Sequence, residues 1–299
     1  MGRTGIDFRR MCVYCAIGAL AFGVDCLKLP DNFKPFIAEK PASLLFQLRV
    51  KVCSEPLTAT DDCTLLHLDE SEEDMPRLEI YKKNGGWVLL TAMYSTAPIC
   101  SRLVTDDNFS NAELEIIDDS PAVRDFAINN ATMLLFAFTA LQYKALELHA
   151  SVTVKDDRGY LFLGKSGTGK STHSRLWMEA FEDAWLLNDD NPVVRLEDDG
   201  VWVYGSPWSG KTPCYKNARA RVGAFVRLHQ AAENSIEKAR PSKAYIDVYS
   251  SCSGLKFMPE VRDEMYNVIS EVMKTVNVYE LNCLPNVEAA RLCAAMCNV

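Results

Sequence analysis

The chain has 299 residues, 48% of them apolar, which is enough to bury the core of one large domain or of two ordinary ones. Its 32 basic and 40 acidic side chains give a net charge of −8, without any run rich in Lys or Arg. This balance argues against a phosphate backbone as partner, and so against nucleic-acid binding. The 11 cysteines are odd in number and irregular in spacing, which indicates reduced thiols rather than a disulfide framework. Cys12 and Cys15 form a C-x-x-C without a second ligand pair, so a zinc site is not predicted.

The apolar run at residues 11–24 follows Arg9 and Arg10 and has the composition of a secretory signal peptide. It is too short to span a bilayer, and Tyr14 and Phe22 favour strands. We therefore interpret it as one or two strands, with the signal peptide as the alternative.

Residues 1–119 predict a β-rich N-terminal domain, because short apolar stretches alternate with turn signals. Strands are expected at residues 44–52, 60–68, 77–81 and 87–93, the last two joined through the Asn84-Gly85 hairpin signal. Nothing in this half converges on chemistry, and we interpret His67 as structural.

The periodicity changes at Ser120, which suits a helix N-cap, and Pro121 suits the first helical position. Apolar residues then follow at steps of three and four until about Leu141, which predicts a long helix. We place a domain boundary there, so that residues 120–299 form a second domain opened by this helix.

The stretch GKSGTGKS, Gly164 to Ser171, matches the phosphate-binding P-loop pattern, or Walker A motif. It follows an apolar run at 160–163 and precedes helical spacing at 172–181, which is the required order of strand, loop and helix. Such a helix N-terminus attracts phosphate, Lys170 would reach the β- and γ-oxygens, and the Ser171 hydroxyl would bind Mg²⁺. The predicted nucleotide-binding residues are Gly164, Ser166, Gly167, Thr168, Gly169, Lys170, Ser171 and Thr172.

Hairpin turns are predicted at residues 155–159 and 197–200, on both sides of this loop. Purely parallel sheets need longer crossovers, so the pattern predicts a mixed sheet and an α/β fold with an α+β tendency. A single strand is expected over residues 146–154, and further strands at 184–187, 193–196, 201–204 and 222–228. Helices near 261–276 and from 287 flank a strand at 278–281.

Asp189 and Asp190 follow the predicted strand at 184–187, where a nucleotide site would be assembled. One carboxylate would bind Mg²⁺ and the other would accept a proton from an attacking hydroxyl. The alternative is a polar turn before Pro192. His149 precedes the P-loop strand by one hairpin and would lie beside the phosphates, although a lone histidine on a strand is more often structural.

Gly205 to Thr212 also matches the P-loop pattern, but its flanks do not support a phosphate cradle. Pro207 lacks an N–H group, Trp208 is bulky where the backbone must approach phosphate, and no amphipathic helix follows. We predict that it is not a nucleotide loop. Trp208 and Lys211 would instead lie on the acceptor side, with an ordinary exposed hairpin tip as the alternative.

The run HASVTVKDDRGYLFLGKSGTGKSTHSRLW…LLNDDNP, from His149 to Pro192, resembles the core of HPr serine kinase/phosphorylase, a P-loop fold shared with phosphoenolpyruvate carboxykinase. That family combines a histidine one strand before the P-loop, the loop itself and an Asp-Asp pair about twenty residues beyond its lysine. The resemblance implies phosphate and Mg²⁺ binding by Lys170 and Ser171, and metal and general-base roles for Asp189 and Asp190, without separating them. It places His149 at the rim of the active site.

The resemblance covers about half of the chain and departs from the family in two places. Residues 218–223 lack its glutamate-containing signature, which argues against phosphorylase activity and against HPr as substrate, and the N-terminal half shows no likeness. We expect a cytoplasmic kinase that uses ATP and Mg²⁺ on a hydroxyl acceptor, with a serine of a protein or peptide as one candidate. We expect no membrane or nucleic-acid partner, and a homo-oligomer is compatible with this assignment. The alternatives are a decarboxylating carboxykinase-like enzyme and an ATP-sensing module without catalysis.

Overall fold

The computed structural model describes residues 11–69, 76–210 and 212–297. The chain forms two compact units, residues 1–139 and 140–299. The described residues contain no helix that is long and apolar enough to cross a membrane. None of the 11 cysteines, all of which are described, is in a disulfide.

The first unit is built on a nine-stranded sheet, with strand order β3-β1-β2-β4-β9-β8-β7-β6-β5. Its strands are β1 (Met11–Ile17), β2 (Leu20–Cys26), β3 (Ile37–Ala38), β4 (Gln47–Val52), β5 (Thr64–Asp69), β6 (Arg77–Lys83), β7 (Gly86–Ala92), β8 (Ser101–Asp106) and β9 (Asn111–Ile116). The segment with signal-peptide composition forms the β1–β2 antiparallel hairpin. The predicted Asn84-Gly85 turn joins β6 to β7, with Gly85 at φ 74°.

Helix α1 (Pro121–Thr139) belongs to the first unit, because its aromatic side chains pack on β2 and on the turn between β8 and β9. Phe136 meets Phe22 edge-on with ring centroids 6.2 Å apart, and Phe138 stacks on Phe109 at 4.4 Å. The units therefore divide after Thr139, not near Ser120. The change of period at Ser120 marks where the helix begins, whereas packing decides to which unit it belongs.

The second unit contains a mixed sheet with strand order β10-β14-β15-β16-β12-β11-β13, and with β18 paired to both β16 and β17. Its strands are β10 (Ala145–Glu147), β11 (Ala150–Lys155), β12 (Arg158–Leu163), β13 (Trp185–Asp190), β14 (Val193–Glu197), β15 (Gly200–Tyr204), β16 (Arg219–Gln230), β17 (Ser235–Lys238) and β18 (Asn277–Cys283). Its helices are α2 (Lys170–Ala180), α3 (Pro241–Ser251), α4 (Pro259–Val272) and α5 (Val287–Met296). Pairing is parallel for β12–β16 and β16–β18 and antiparallel elsewhere, so the predicted mixed-sheet α/β fold is confirmed.

Alternation along β12 gives the second unit a core on each face of its sheet. Phe162 faces Trp177 of α2, with ring centroids 5.6 Å apart, in a cluster that includes residues of α5. Leu161 and Leu163 belong to the other cluster, which contains Ile269 of α4. The P-loop strand is therefore held from both sides.

The expected single strand at 146–154 is two strands, β10 and β11, which belong to different neighbours. β10 pairs with β14, and β11 lies between β12 and β13. The chain changes partners at Leu148, which bridges to Cys252, and at His149, whose backbone N–H donates to Ser251 O at 2.7 Å. The pattern of apolar residues does not reveal this break, because β10 and β11 are both buried. Helix α3 was also not predicted.

Candidate functional site

Three strand ends bring the predicted site residues to one edge of the second sheet. β11 is antiparallel to both neighbours, so its first residue, Ala150, lies beside Leu163 at the end of β12 and Asp190 at the end of β13. His149 precedes Ala150, and the P-loop follows Leu163. The topology therefore places a histidine, a phosphate loop and two carboxylates at the same edge.

The loop between β12 and α2 has the backbone of a phosphate cradle. Gly167 and Gly169 lie at φ 77° and 108°, in the left-handed region that other residues avoid. Gly169 caps α2 without a side-chain bond, so the first helical N–H groups remain available to an anion. The predicted strand, glycine loop and helix are all present.

Lys170 is 8% exposed, and its ammonium group lies against the loop and a histidine. Its Nζ donates to Gly164 O at 3.0 Å and Lys165 O at 3.3 Å, and lies 2.8 Å from His149 Nε2. Burial lowers the pKa of Lys170, an effect that Asp190 and Asp189 partly oppose. A phosphate group would add negative charge here and stabilise the ammonium form.

His149 links Lys170 to Asp190. A lysine ammonium has only donors, so Nε2 of His149 accepts and its ring proton lies on Nδ1. Nδ1 is 2.8 Å from Asp190 Oδ1, which gives a continuous chain from the phosphate loop through the imidazole to a carboxylate. His149 therefore makes specific contacts within the site.

Ser171 and Asp189 form the second pair of this edge, since Ser171 Oγ donates to Asp189 Oδ1 at 2.9 Å. Two neighbouring ligands of an octahedral Mg²⁺ are also about 2.9 Å apart, because each lies about 2.05 Å from the ion at a right angle. These two oxygens therefore fit one Mg²⁺. No cluster of three His, Cys, Asp or Glu ligands occurs in the described chain.

Asp190 has an unusual backbone for a residue with a side chain, with φ 144°. Its neighbour Asn188 is fully buried and fastens the strand end, because its Nδ2 donates to Ser206 Oγ at 3.2 Å and Trp208 O at 3.1 Å. The Gly210 N–H donates to Asp189 O at 2.7 Å. Strain of this kind persists where surrounding contacts enforce it, and it recurs at functional sites.

These contacts come from the segment Gly205 to Thr212, which also matches the P-loop pattern. Residues 212–218 contain no helix, which supports the prediction that it is not a nucleotide loop. Trp208 is 3% exposed, so its side chain does not stand at an exposed tip, and Lys211 lies outside the described residues. A Cβ on Gly205 would lie 2.0 Å from Lys216 O, so the glycine at this position allows two backbones to approach each other.

The remaining predicted loop residues border two clefts. Ser166, Gly167 and Thr168 line an open cleft of about 500 Å³ together with Arg227 and His229 of β16. Thr168, Gly169 and Thr172 line a second cleft of about 400 Å³, beside the start of α2. Gly164 is buried, and a Cβ there would lie 3.0 Å from the Thr168 side chain.

Sequence reasoning missed two charged residues near this edge, Glu147 and Arg227. Glu147 is 2% exposed, and burial raises its pKa well above 4.5; a hydrogen bond with Ser253 opposes this shift, and the charge of Asp190 adds to it. Its carboxyl group is therefore harder to ionise than that of an exposed glutamate. Arg227 lies on β16 beside Leu163. Each lies in an apolar strand pattern, and only the sheet order reveals its position.

No family model matches the sequence, and no curated protein matches it. Among solved structures, the chain is similar to that of the Hpr(Ser) kinase/phosphatase from Coxiella burnetii, with a TM-score of 0.31 and 13% sequence identity over 50% of this chain and 95% of that chain. This likeness is one of structure alone.

Proposed function

We propose that the second unit is an ATP-dependent phosphotransferase that moves the γ-phosphoryl group of ATP to a hydroxyl group. The observation that carries the proposal is the linked chain of Lys170, His149 and Asp190 beside the Ser171–Asp189 pair, all at the mouth of a P-loop. This arrangement supplies groups for phosphate binding, for Mg²⁺ and for proton transfer within one site. The sequence resemblance to HPr serine kinase supports the same class of reaction.

The two aspartates have different partners, which supports different roles. Asp189 shares its contact with the P-loop serine, as an Mg²⁺ ligand would, and is 4% exposed. Asp190 contacts His149 and is more accessible, with a side chain 30% exposed. We therefore assign Mg²⁺ to Ser171 and Asp189, and the general base to Asp190.

In the proposed reaction, Asp190 accepts the proton of the acceptor hydroxyl while that oxygen bonds to the γ-phosphorus. The bond from the γ-phosphorus to the β–γ bridging oxygen breaks, and ADP leaves. Lys170 binds the β- and γ-oxygens, and His149 orients Asp190 through its Nδ1–H. Mg²⁺, when bound by Ser171 and Asp189, would neutralise charge on the phosphates.

Labelling with γ-labelled ATP and Mg²⁺ tests this proposal. Wild-type protein should label at least one component of a cell lysate, which mass spectrometry then identifies. Lys170→Ala should lose ATP binding, whereas Asp190→Asn should bind ATP and lower transfer by about 10²–10⁴-fold, which is the usual contribution of a general base. Asp198→Asn, in the exposed β14–β15 turn, is the matched control.

Equal transfer by wild type and Asp190→Asn would contradict the mechanism. Tight ATP binding without any labelled product would instead favour a nucleotide sensor. Nucleotide turnover that depends on oxaloacetate would favour the carboxykinase alternative.

A further inference from the structure

The second cleft continues from the P-loop along α2 to the ends of β16 and β18. It has a volume of about 400 Å³, within the range of small-molecule sites, and it shares Gly167, Thr168, Gly169 and Thr172 with the phosphate cradle. A ligand whose phosphates occupy the cradle therefore has this space available for its remaining part.

The walls of the cleft are uncharged and largely apolar. Leu176, Leu228, Leu284 and Pro285 contribute the apolar surface, and none of the described lining residues is Asp, Glu, Lys or Arg. His173 also lines the cleft, and its burial lowers its pKa to about 4, so the ring is neutral at physiological pH. An uncharged, mostly apolar group suits such walls better than a further phosphate or a carboxylate.

Gln230 supplies the oriented polar group of the cleft. Its Nε2 donates to Gly167 O at 3.3 Å and to Thr168 O at 3.4 Å. A flipped amide would turn Oε1 towards two carbonyl oxygens, which repel it, so these two contacts fix the amide orientation. No described residue donates to Oε1, which therefore remains an acceptor.

We propose that this cleft binds the base of the nucleotide, and that Gln230 Oε1 selects adenine over guanine. Adenine carries an amino donor at N6, whereas guanine carries a carbonyl acceptor at the corresponding O6. The O6 oxygen of guanine would lie against the Gln230 oxygen and be repelled by it. The described lining residues include no carboxylate that could accept from the N1–H and N2–H₂ donors of guanine. This inference rests on the proposed function, because it takes the P-loop as the triphosphate site.

Three probes separate the base from the phosphates: ATP, GTP and inorganic tripolyphosphate, each measured with Mg²⁺ by calorimetry. Wild type should bind ATP at least about 10-fold more tightly than GTP, a discrimination typical of one well-placed polar contact. Gln230→Ala should bring the two affinities within about 3-fold of each other.

Ala231→Trp should fill the cleft, weaken ATP at least about 10-fold and leave tripolyphosphate within about 2-fold of wild type. Ala232→Trp is the matched control, because Ala232 is exposed and does not line the cleft, and it should bind all three probes as wild type does. Far-ultraviolet circular dichroism establishes that each variant is folded. Gln230→Ala is a second variant that leaves the packing unchanged, because the Gln230 side chain is exposed.

Equal affinity of wild type for ATP and GTP, or an equal loss of ATP and tripolyphosphate in Ala231→Trp, would overturn the base-binding inference. Both results leave the proposed function intact, because tripolyphosphate still binds wild type. If the wild-type protein binds neither ATP nor tripolyphosphate, both the proposed function and this inference are wrong.

Discussion

The Nζ of Lys170 lies 2.8 Å from Nε2 of His149, so the lysine of the P-loop motif directly contacts the side chain that immediately precedes the neighbouring strand. The two residues are separated by a hairpin and a loop, and they meet because β11 and β12 pair in an antiparallel register. This contact, extended by His149 to Asp190, is the basis of the first prediction.

His149→Gln should lower the rate of phosphoryl transfer by about 10²-fold and change the affinity for ATP by less than about 3-fold. The imidazole orients Asp190, and the loop carbonyls still hold Lys170 without it. Steady-state kinetics that determine kcat and KM separately would show a lower kcat with a nearly unchanged KM for ATP. His67→Gln, an exposed histidine of the other unit, should have no effect. A rise in KM alone would assign His149 to ATP binding instead.

Asp189→Asn and Ser171→Ala should each raise the Mg²⁺ concentration needed for half-maximal transfer by about 10-fold or more. Each substitution removes one of the two protein oxygens that fit the ion, while the phosphate oxygens of ATP would still coordinate it. A Mg²⁺ titration at saturating ATP measures this. Asp183→Asn, an exposed carboxylate after α2, serves as the control. An unchanged Mg²⁺ requirement in Asp189→Asn would remove Asp189 from the metal site.

Asp190→Gly should be more stable than Asp190→Ala by about 1 kcal/mol, because glycine adopts φ 144° without strain and alanine does not. Both variants lose the carboxylate, so the difference isolates the backbone strain. Urea unfolding gives the two free energies. Both variants should lose transfer activity. Equal free energies of unfolding of the two variants would show that the backbone of Asp190 is not strained.

Gly210→Ala should slow transfer by about 3- to 10-fold and leave the KM for ATP unchanged. Its new Cβ would lie 3.3 Å from Cβ and Cγ of Asp190, a close contact that shifts the carboxylate by a few tenths of an ångström. Adding Gly210→Ala to Asp190→Asn should then have no further effect on the residual rate. Additive losses in the double variant would mean that Gly210 acts through another group.

Glu147→Gln should become more stable relative to wild type as the pH rises above 4.5. The folded-state pKa of Glu147 lies above its ordinary value of 4.5, so the folded protein binds the extra proton and wild-type stability falls as pH rises towards the raised pKa. One such group contributes at most about 1.4 kcal/mol per pH unit, and glutamine removes this dependence.

Urea unfolding of both proteins at pH 5, 6, 7 and 8 measures this difference. The depressed pKa of His173, about 4 against an ordinary 6.5, has the opposite effect below pH 6.5, but it is common to both proteins and cancels. A stability difference that stays constant with pH would show that Glu147 is ionised in the folded protein.

The sequence was sufficient to predict the local elements of the site. Strand, glycine loop and helix around Gly164–Ser171 follow from apolar periodicity and from the positive φ that Gly167 and Gly169 adopt. The hairpins on both sides likewise predicted the mixed sheet, because their turns are too short for parallel crossovers. These features depend on interactions between residues that are near each other in the chain.

Tertiary structure alone decided how the elements combine. Only the tertiary contacts distinguish Asp189 from Asp190, since one carboxylate contacts the P-loop serine and the other contacts His149. The tertiary structure also divides residues 146–154 into two strands, assigns α1 to the first unit and buries Glu147. These outcomes rest on contacts between residues distant in sequence, and a one-dimensional pattern of apolar and polar residues does not specify which strands become neighbours.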